Sequence, residues 1–213
     1  MDYPTDPDFQ KRISKLVHEE KWNLAIDEIM GAIRDAEKLN AEEEVCYLYS
    51  RLAGIYFVQE KVQNALAVLE ECEAKYPSSV IAKFIYLENL FWHARRYDQV
   101  IEKSEAIIAL VRRHLNYYHK SLYLKGLAHF ELGQFKEAIE MLSETDYYDL
   151  ALVEKLMNHE VGLTECREFL LRALNTFKAF QMRGEDVGAS ISKIEALMTQ
   201  LDRMGAKNKG EEA

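Results

Sequence analysis

The six histidines and three cysteines are the side chains of this 213-residue chain best able to ligate a metal or act as a nucleophile. His18, His93, His114, His119, His129 and His159 form neither His-x-x-x-His nor His-Glu-x-x-His, the spacings that turn two imidazoles to one helical face for zinc. His114 and His119 stand five apart and project in different directions, and Glu-x-x-His pairs of the di-iron type do not occur. No glycine-rich phosphate loop closing on Lys-Ser/Thr and no Gly-x-Ser-x-Gly turn is present, so nucleotide and hydrolase chemistry lack a local motif. Cys46, Cys72 and Cys166 fall at small-residue or apolar positions and read as packing residues rather than nucleophiles. The expectation is a protein that is not an enzyme and holds neither metal nor cofactor.

Charge narrows the partners further. The chain carries 27 Lys+Arg against 36 Asp+Glu, a net charge of −9. Arg95-Arg96, and Arg112-Arg113-His114 followed by Tyr117-Tyr118-His119-Lys120, set cations beside aromatics that could stack on bases. The acidic balance opposes attraction to phosphate, so nucleic acid is not an expected partner and these cations read as helix-end charges. Glu42-Glu43-Glu44 and Glu70-Glu71 with Glu73 read as solvated helix faces. An odd number of cysteines and the lack of an N-x-Ser/Thr sequon favour a reducing, cytoplasmic setting. The first ten residues hold Asp2, Asp6 and Asp8 without a basic-then-apolar leader, and no apolar run reaches about 18 residues, so membrane insertion is not expected.

The elements that must position any site are helices. All three prolines lie at or before Pro77, and apolar residues recur at helical spacing, as in Leu122, Leu124, Leu127, Ala128 and Phe130. No alternating stretch meets an Asn-Gly or Asp-Gly turn, so strands have no support. Short connections such as Glu131-Leu132-Gly133-Gln134 and Ala94-Arg95-Arg96 make sequence neighbours antiparallel, and a serine after Pro77 can cap the next helix. Helix hairpins are the building unit.

Four such hairpins align. With Ala25, Ala65, Val100 and Ala138 as references, Trp22, Val62, Tyr97 and Phe135 stand three residues earlier, and Leu16, Tyr56, Phe91 and His129 nine earlier. Twelve earlier stand Ile13, Ala53, Glu88 and Gly126; four later come Ile29, Leu69, Ser104 and Leu142. A small reference residue lets the two helices of a hairpin approach, while the aromatic or apolar residue before it seals their turn. This pattern resembles the tetratricopeptide repeat, a helix-turn-helix unit of about 34 residues. Residues 49–77 carry it best, with Leu52-Ala53, Tyr56, Ala65, Leu69, Cys72 and Pro77, and residues 123–142 next, with Gly126, Ala128, Gly133, Phe135 and Ala138. The resemblance covers residues 8–146. The reference spacings of 40, 35 and 38 are not constant, Glu88 and Val100 stand where small residues belong, and Lys125 takes a usually apolar place.

The resemblance implies an all-α, right-handed solenoid of antiparallel helix hairpins over residues 1–148, about four repeats. Residues 149–204 are expected as C-terminal helices and 205–213 as a flexible polar tail. Leu163, Cys166, Leu170 and Phe177 mark one helix, with Thr164 as its cap. Val187, Ile191, Ile194, Met198 and Leu201 form a two-heptad seam on the last. That seam suits a cap over the open end of the repeats, and its alternative use is as a homodimer contact.

In such proteins the first helix of each hairpin lines a concave groove. Matched offsets place Tyr47 and Arg51, then Ile85, Tyr86, Asn89 and His93, then Lys120 and Tyr123 there, with Asn89 the strongest candidate for holding a peptide backbone. The lysine, arginine and asparagine set with which some of these repeats clamp a C-terminal carboxylate is missing, since Leu124 stands where an arginine is needed. The expected function is a non-enzymatic adaptor that binds a peptide or helix of a partner protein. The alternative is a structural subunit that assembles through its convex face and last helix.

Overall fold

The computed structural model describes residues 7–111, 115–145 and 147–210, the side chains of 115 and 205–210 excepted. The basic run at 112–114 and the N-terminal Asp2 and Asp6 lie outside them. Every regular element among the described residues is helical: α1 (Pro7–His18), α2 (Trp22–Lys38), α3 (Glu42–Val58), α4 (Val62–Lys75), α5 (Val80–Asn89) running into a π-helical turn (Leu90–Ala94), α6 (Tyr97–Val111), α7 (Leu115–Glu131), α8 (Phe135–Ser143), α9 (Leu150–Asn158), α10 (Leu163–Met182) and α11 (Gly188–Gly210). This is the expected all-α helical-repeat fold.

The repeat pattern has a direct structural counterpart. Trp22, Val62, Tyr97 and Phe135 each open the second helix of a hairpin, and Ala25, Ala65, Val100 and Ala138 are completely buried one turn on. Close approach explains the small residues: a Cβ added to Gly126 of α7 would lie 3.1 Å from Leu142 Cγ and 3.3 Å from the Ala138 carbonyl oxygen of α8. The turns share one main-chain device. Glu20, Glu60 and Gly133 adopt left-handed conformations, with φ of 57°, 60° and 75°. The next N–H in each case, of Lys21, Lys61 and Gln134, donates to a carbonyl five residues back, on Leu16, Tyr56 and His129, at 2.9 Å.

The third hairpin departs from this by one residue. There Arg95 takes the left-handed conformation, and the Arg96 N–H donates to Leu90, six residues back, at 3.0 Å across the π-helical turn. The extra residue changes the register of everything upstream. Ala82, Tyr86, Leu87 and Asn89 are buried as Leu48, Leu52, Ala53 and Ile55 are in α3, each one place earlier relative to its reference residue. Glu88 is therefore not at the small-residue station; Leu87 is, fully buried.

The chain forms two compact units, Met1–Tyr117 and Tyr118–Ala213. In the first, α2 packs on α1 and α3, α4 on α3 and α5, and α6 on α5, around Ile29, Ile33, Leu48, Leu69, Leu87 and Ile107. Ser79 caps α5 by accepting the Ala82 N–H at 3.3 Å. In the second unit, Ala138, Ile139 and Leu142 of α8 share one core with Leu156, Phe169 and Ile194 of α9, α10 and α11. Packing therefore shows no break after residue 148, because the fourth hairpin is joined by its core to the helices that follow. Asp149 caps α9 by accepting the Leu152 N–H at 3.0 Å. Thr164, expected as the cap of α10, falls inside that helix, whose cap position is Gly162 with φ of 61°. Helix α11 runs through Gly210, into the segment expected as a polar tail, and 211–213 lie outside the described residues.

Candidate interaction cleft

Between the first helices of the three N-terminal hairpins lies an open cleft of about 580 Å³. Helix α1 contributes Ile13, Ser14, Val17 and His18 to its wall, and α3 contributes Ser50, Arg51, Gly54, Ile55 and Val58. Asn89 and His93 complete it from α5 and the π-helical turn. These residues sit here because each first helix turns its second helix one face and leaves another unpacked. His18, Val58 and His93 stand seven residues before their references, and Ser14 and Gly54 stand eleven before theirs. The lining thus comes in rows across the hairpins, apolar residues alternating with hydroxyl, amide and cationic groups.

Detail follows from the neighbours. The His93 ring stacks on Phe57, with centroids 4.7 Å apart. Asn89 Nδ2 donates to the Ile85 carbonyl at 2.7 Å, which holds the side chain against its own helix at the cleft floor. Gly54 leaves space: a Cβ there would meet nothing within 4 Å. A smaller hollow formed by Phe9, Gln10, Ile13 and Arg51 lies beside the cleft.

The groove residues expected from matched offsets divide accordingly. Arg51, Asn89 and His93 line the cleft. Ile85 and Tyr86 do not; they are 7% and 3% exposed, because the π-helical turn rotates α5 by one residue, roughly 100° about its axis. The Tyr86 hydroxyl donates to Glu70 of α4 at 2.6 Å and its ring lies under the Lys103 ammonium, 4.5 Å from centroid to nitrogen. Burial, reinforced by the Glu70 carboxylate, pushes the Tyr86 phenol well above its usual pKa. Tyr47 is exposed near the start of α3, outside the cleft lining. Lys120 and Tyr123 belong to the second unit, where the Tyr123 hydroxyl donates to Asp149 at 2.8 Å and the ring stacks on Tyr147. Burial and that carboxylate raise the Tyr123 phenol likewise.

The groove expected from sequence has no member on α1, although Ser14 and His18 stand at the same offsets from Ala25 that Asn89 and His93 have from Val100. The last-helix seam turns inward: Ile191, Ile194 and Leu201 are buried, Met198 packs on the core of the second unit, and Val187 is half-buried ahead of α11. Cys46, Cys72 and Cys166 are all buried, and burial with Glu165 nearby pushes the Cys166 thiol up to about 11. His129 pairs with Gln134 across the fourth hairpin turn at 2.6 Å.

Among the described residues no group of three or more histidine, cysteine or carboxylate side chains is placed to hold a metal ion, and no helix is long and apolar enough to cross a membrane. No curated protein matches the chain as a relative. Residues 120–145, spanning most of α7 and all of α8, match the tetratricopeptide repeat, which the chain carries there.

Proposed function

We propose that the chain is a non-enzymatic adaptor that holds a segment of a partner protein in the cleft between α1, α3 and α5. The observation carrying this is the cleft itself: three hairpins leave part of each first helix unpacked, and the space between them is lined by apolar groups with a few polar ones. That is the composition with which grooves take peptides, apolar contact supplying affinity and sparse polar groups supplying register. Val58, 62% exposed at its rim, is a large apolar residue that such a segment would cover.

Gly54→Trp tests it. A Cβ at this position meets nothing within 4 Å, and the cleft of about 580 Å³ beyond it has room for an indole. Affinity enrichment from lysate with the wild type and with the variant, both shown folded by circular dichroism and thermal melting, should give partners that only the wild type retains. Partners retained equally by both would place the functional surface elsewhere.

A further inference from the structure

The charge of the cleft stands apart from that of the chain. The chain has 36 Asp and Glu and a net charge of −9, yet no described residue lining the cleft is acidic, while His18, Arg51 and His93 all line it. Arg51 is exposed and enters no ion pair or hydrogen bond among the described residues, so its guanidinium keeps five donors for a ligand. Between the Arg51 guanidinium and the two imidazoles lie Ile13, Val17, Ile55 and Val58. We infer that the cleft recognises an acidic-apolar segment of a partner protein, with carboxylate side chains meeting Arg51 and the histidines and apolar side chains filling the space between. This rests on the proposed peptide-binding role of the same cleft and specifies its ligand.

The spacing selects side-chain carboxylates over a chain terminus. Arg51 lies seven residues before Val58, which shares a row with His18 and His93. Seven residues of helix rise about 10 Å, so one terminal carboxylate cannot serve both levels, whereas a segment with acidic residues along its length can. Phosphate-rich ligands fit less well. The lining has one arginine and no lysine, and it offers no Phe, Tyr or Trp on which a base would stack.

The test is a selection of displayed random dodecapeptides on the full chain, on Arg51→Gln and on Gly54→Trp, each pool being sequenced. The expected wild-type pool is enriched about threefold or more over input in Asp and Glu beside Leu, Ile, Phe or Trp. The Gly54→Trp pool should show no enrichment. A peptide synthesised from the wild-type pool should lose about tenfold in affinity when its acidic residues become Asn or Gln. On Arg51→Gln that loss should shrink to about twofold, the interaction read by a double-mutant cycle. A neutral or basic pool that vanishes with Gly54→Trp would overturn the acidic assignment and leave the peptide role standing. Equal pools on the wild type and Gly54→Trp would overturn both. No enrichment on the wild type, displacement of the peptide by poly(U) RNA, or a dimer of this chain that Gly54→Trp dissociates would each overturn the acidic-segment inference.

Discussion

Helices α3 and α5 carry the same repeat positions in adjacent hairpins and present different faces. Fourteen residues before the reference, α3 holds an exposed Arg51 at the cleft and α5 holds a Tyr86 buried against α4 and Lys103. The cause is the single extra residue in the π-helical turn between Leu90 and Ala94, which lets α5 and α6 both keep their packing while α5 is turned relative to the count. An insertion in a helix thus need not cost the fold; it re-aims one wall of the site. Asn89 comes to the level of Ile55, and an amide replaces an aliphatic group at the cleft floor.

Deleting one residue should have opposite consequences in the two helices. Removing Gly54 from α3, which has no π-helical slack, should rotate Leu48 and Leu52 out of the core and abolish cooperative folding. Removing Trp92, 56% exposed within the π-helical turn, should restore an ordinary helix and leave a cooperative melt. Circular dichroism and denaturant titration of the two deletions decide the matter. An unfolded Trp92 deletion would mean that the turn carries more than an extra residue.

Next in size is the contrast of matched side chains. Tyr86→Ala should destabilise by about 3–5 kcal/mol, as for other buried aromatics, while Arg51→Ala should stay within about 0.5 kcal/mol. Urea unfolding measures both. Comparable losses would mean that Arg51 is part of the packing rather than of a ligand site.

The smallest effect concerns the two turns. Glu60 and Arg95 hold φ of 60° and 52°, a conformation that disfavours a Cβ, so Glu60→Gly and Arg95→Gly should each stabilise by up to about 1 kcal/mol. Paired thermal melts test this, and destabilisation by either would show that the side chain does more than occupy the turn.

Much of this architecture is legible in the residues. The aromatic or apolar openers Trp22, Val62, Tyr97 and Phe135 mark the starts of four helices, and the residue three places on is buried in every hairpin. The reason is that turn sealing and close helix approach each demand a particular size of side chain. A π-helical turn makes no such demand. Its hydrogen bonds are between main-chain groups, so Leu90 to Ala94 looks like any other helical stretch, and the mark it leaves is a misfit: Glu88 at a supposed packing station. The misplacement of Ile85 and Tyr86 in the groove follows from that one missed residue. The α1 wall was within reach, since Ser14 and His18 obey the offsets already in use. The division at Tyr117 was not, because what binds α8 to α9, α10 and α11 is a shared core of apolar side chains with no boundary signal in composition.

Helix α8 has only nine residues and is approached by a glycine on two sides. Gly126 faces Ala138 and Leu142, and a Cβ at Gly162 would lie 2.7 Å from Ile139 Cγ2. Its apolar side chains and these glycines are consequently one inheritance. A larger residue at 126 needs a smaller one at 142 together with a small shift of the α8 main chain at Ala138, whereas Gly162, held also by its φ of 61°, admits no such exchange. Drift through this part of the chain should run in pairs or not at all, even where no ligand is near.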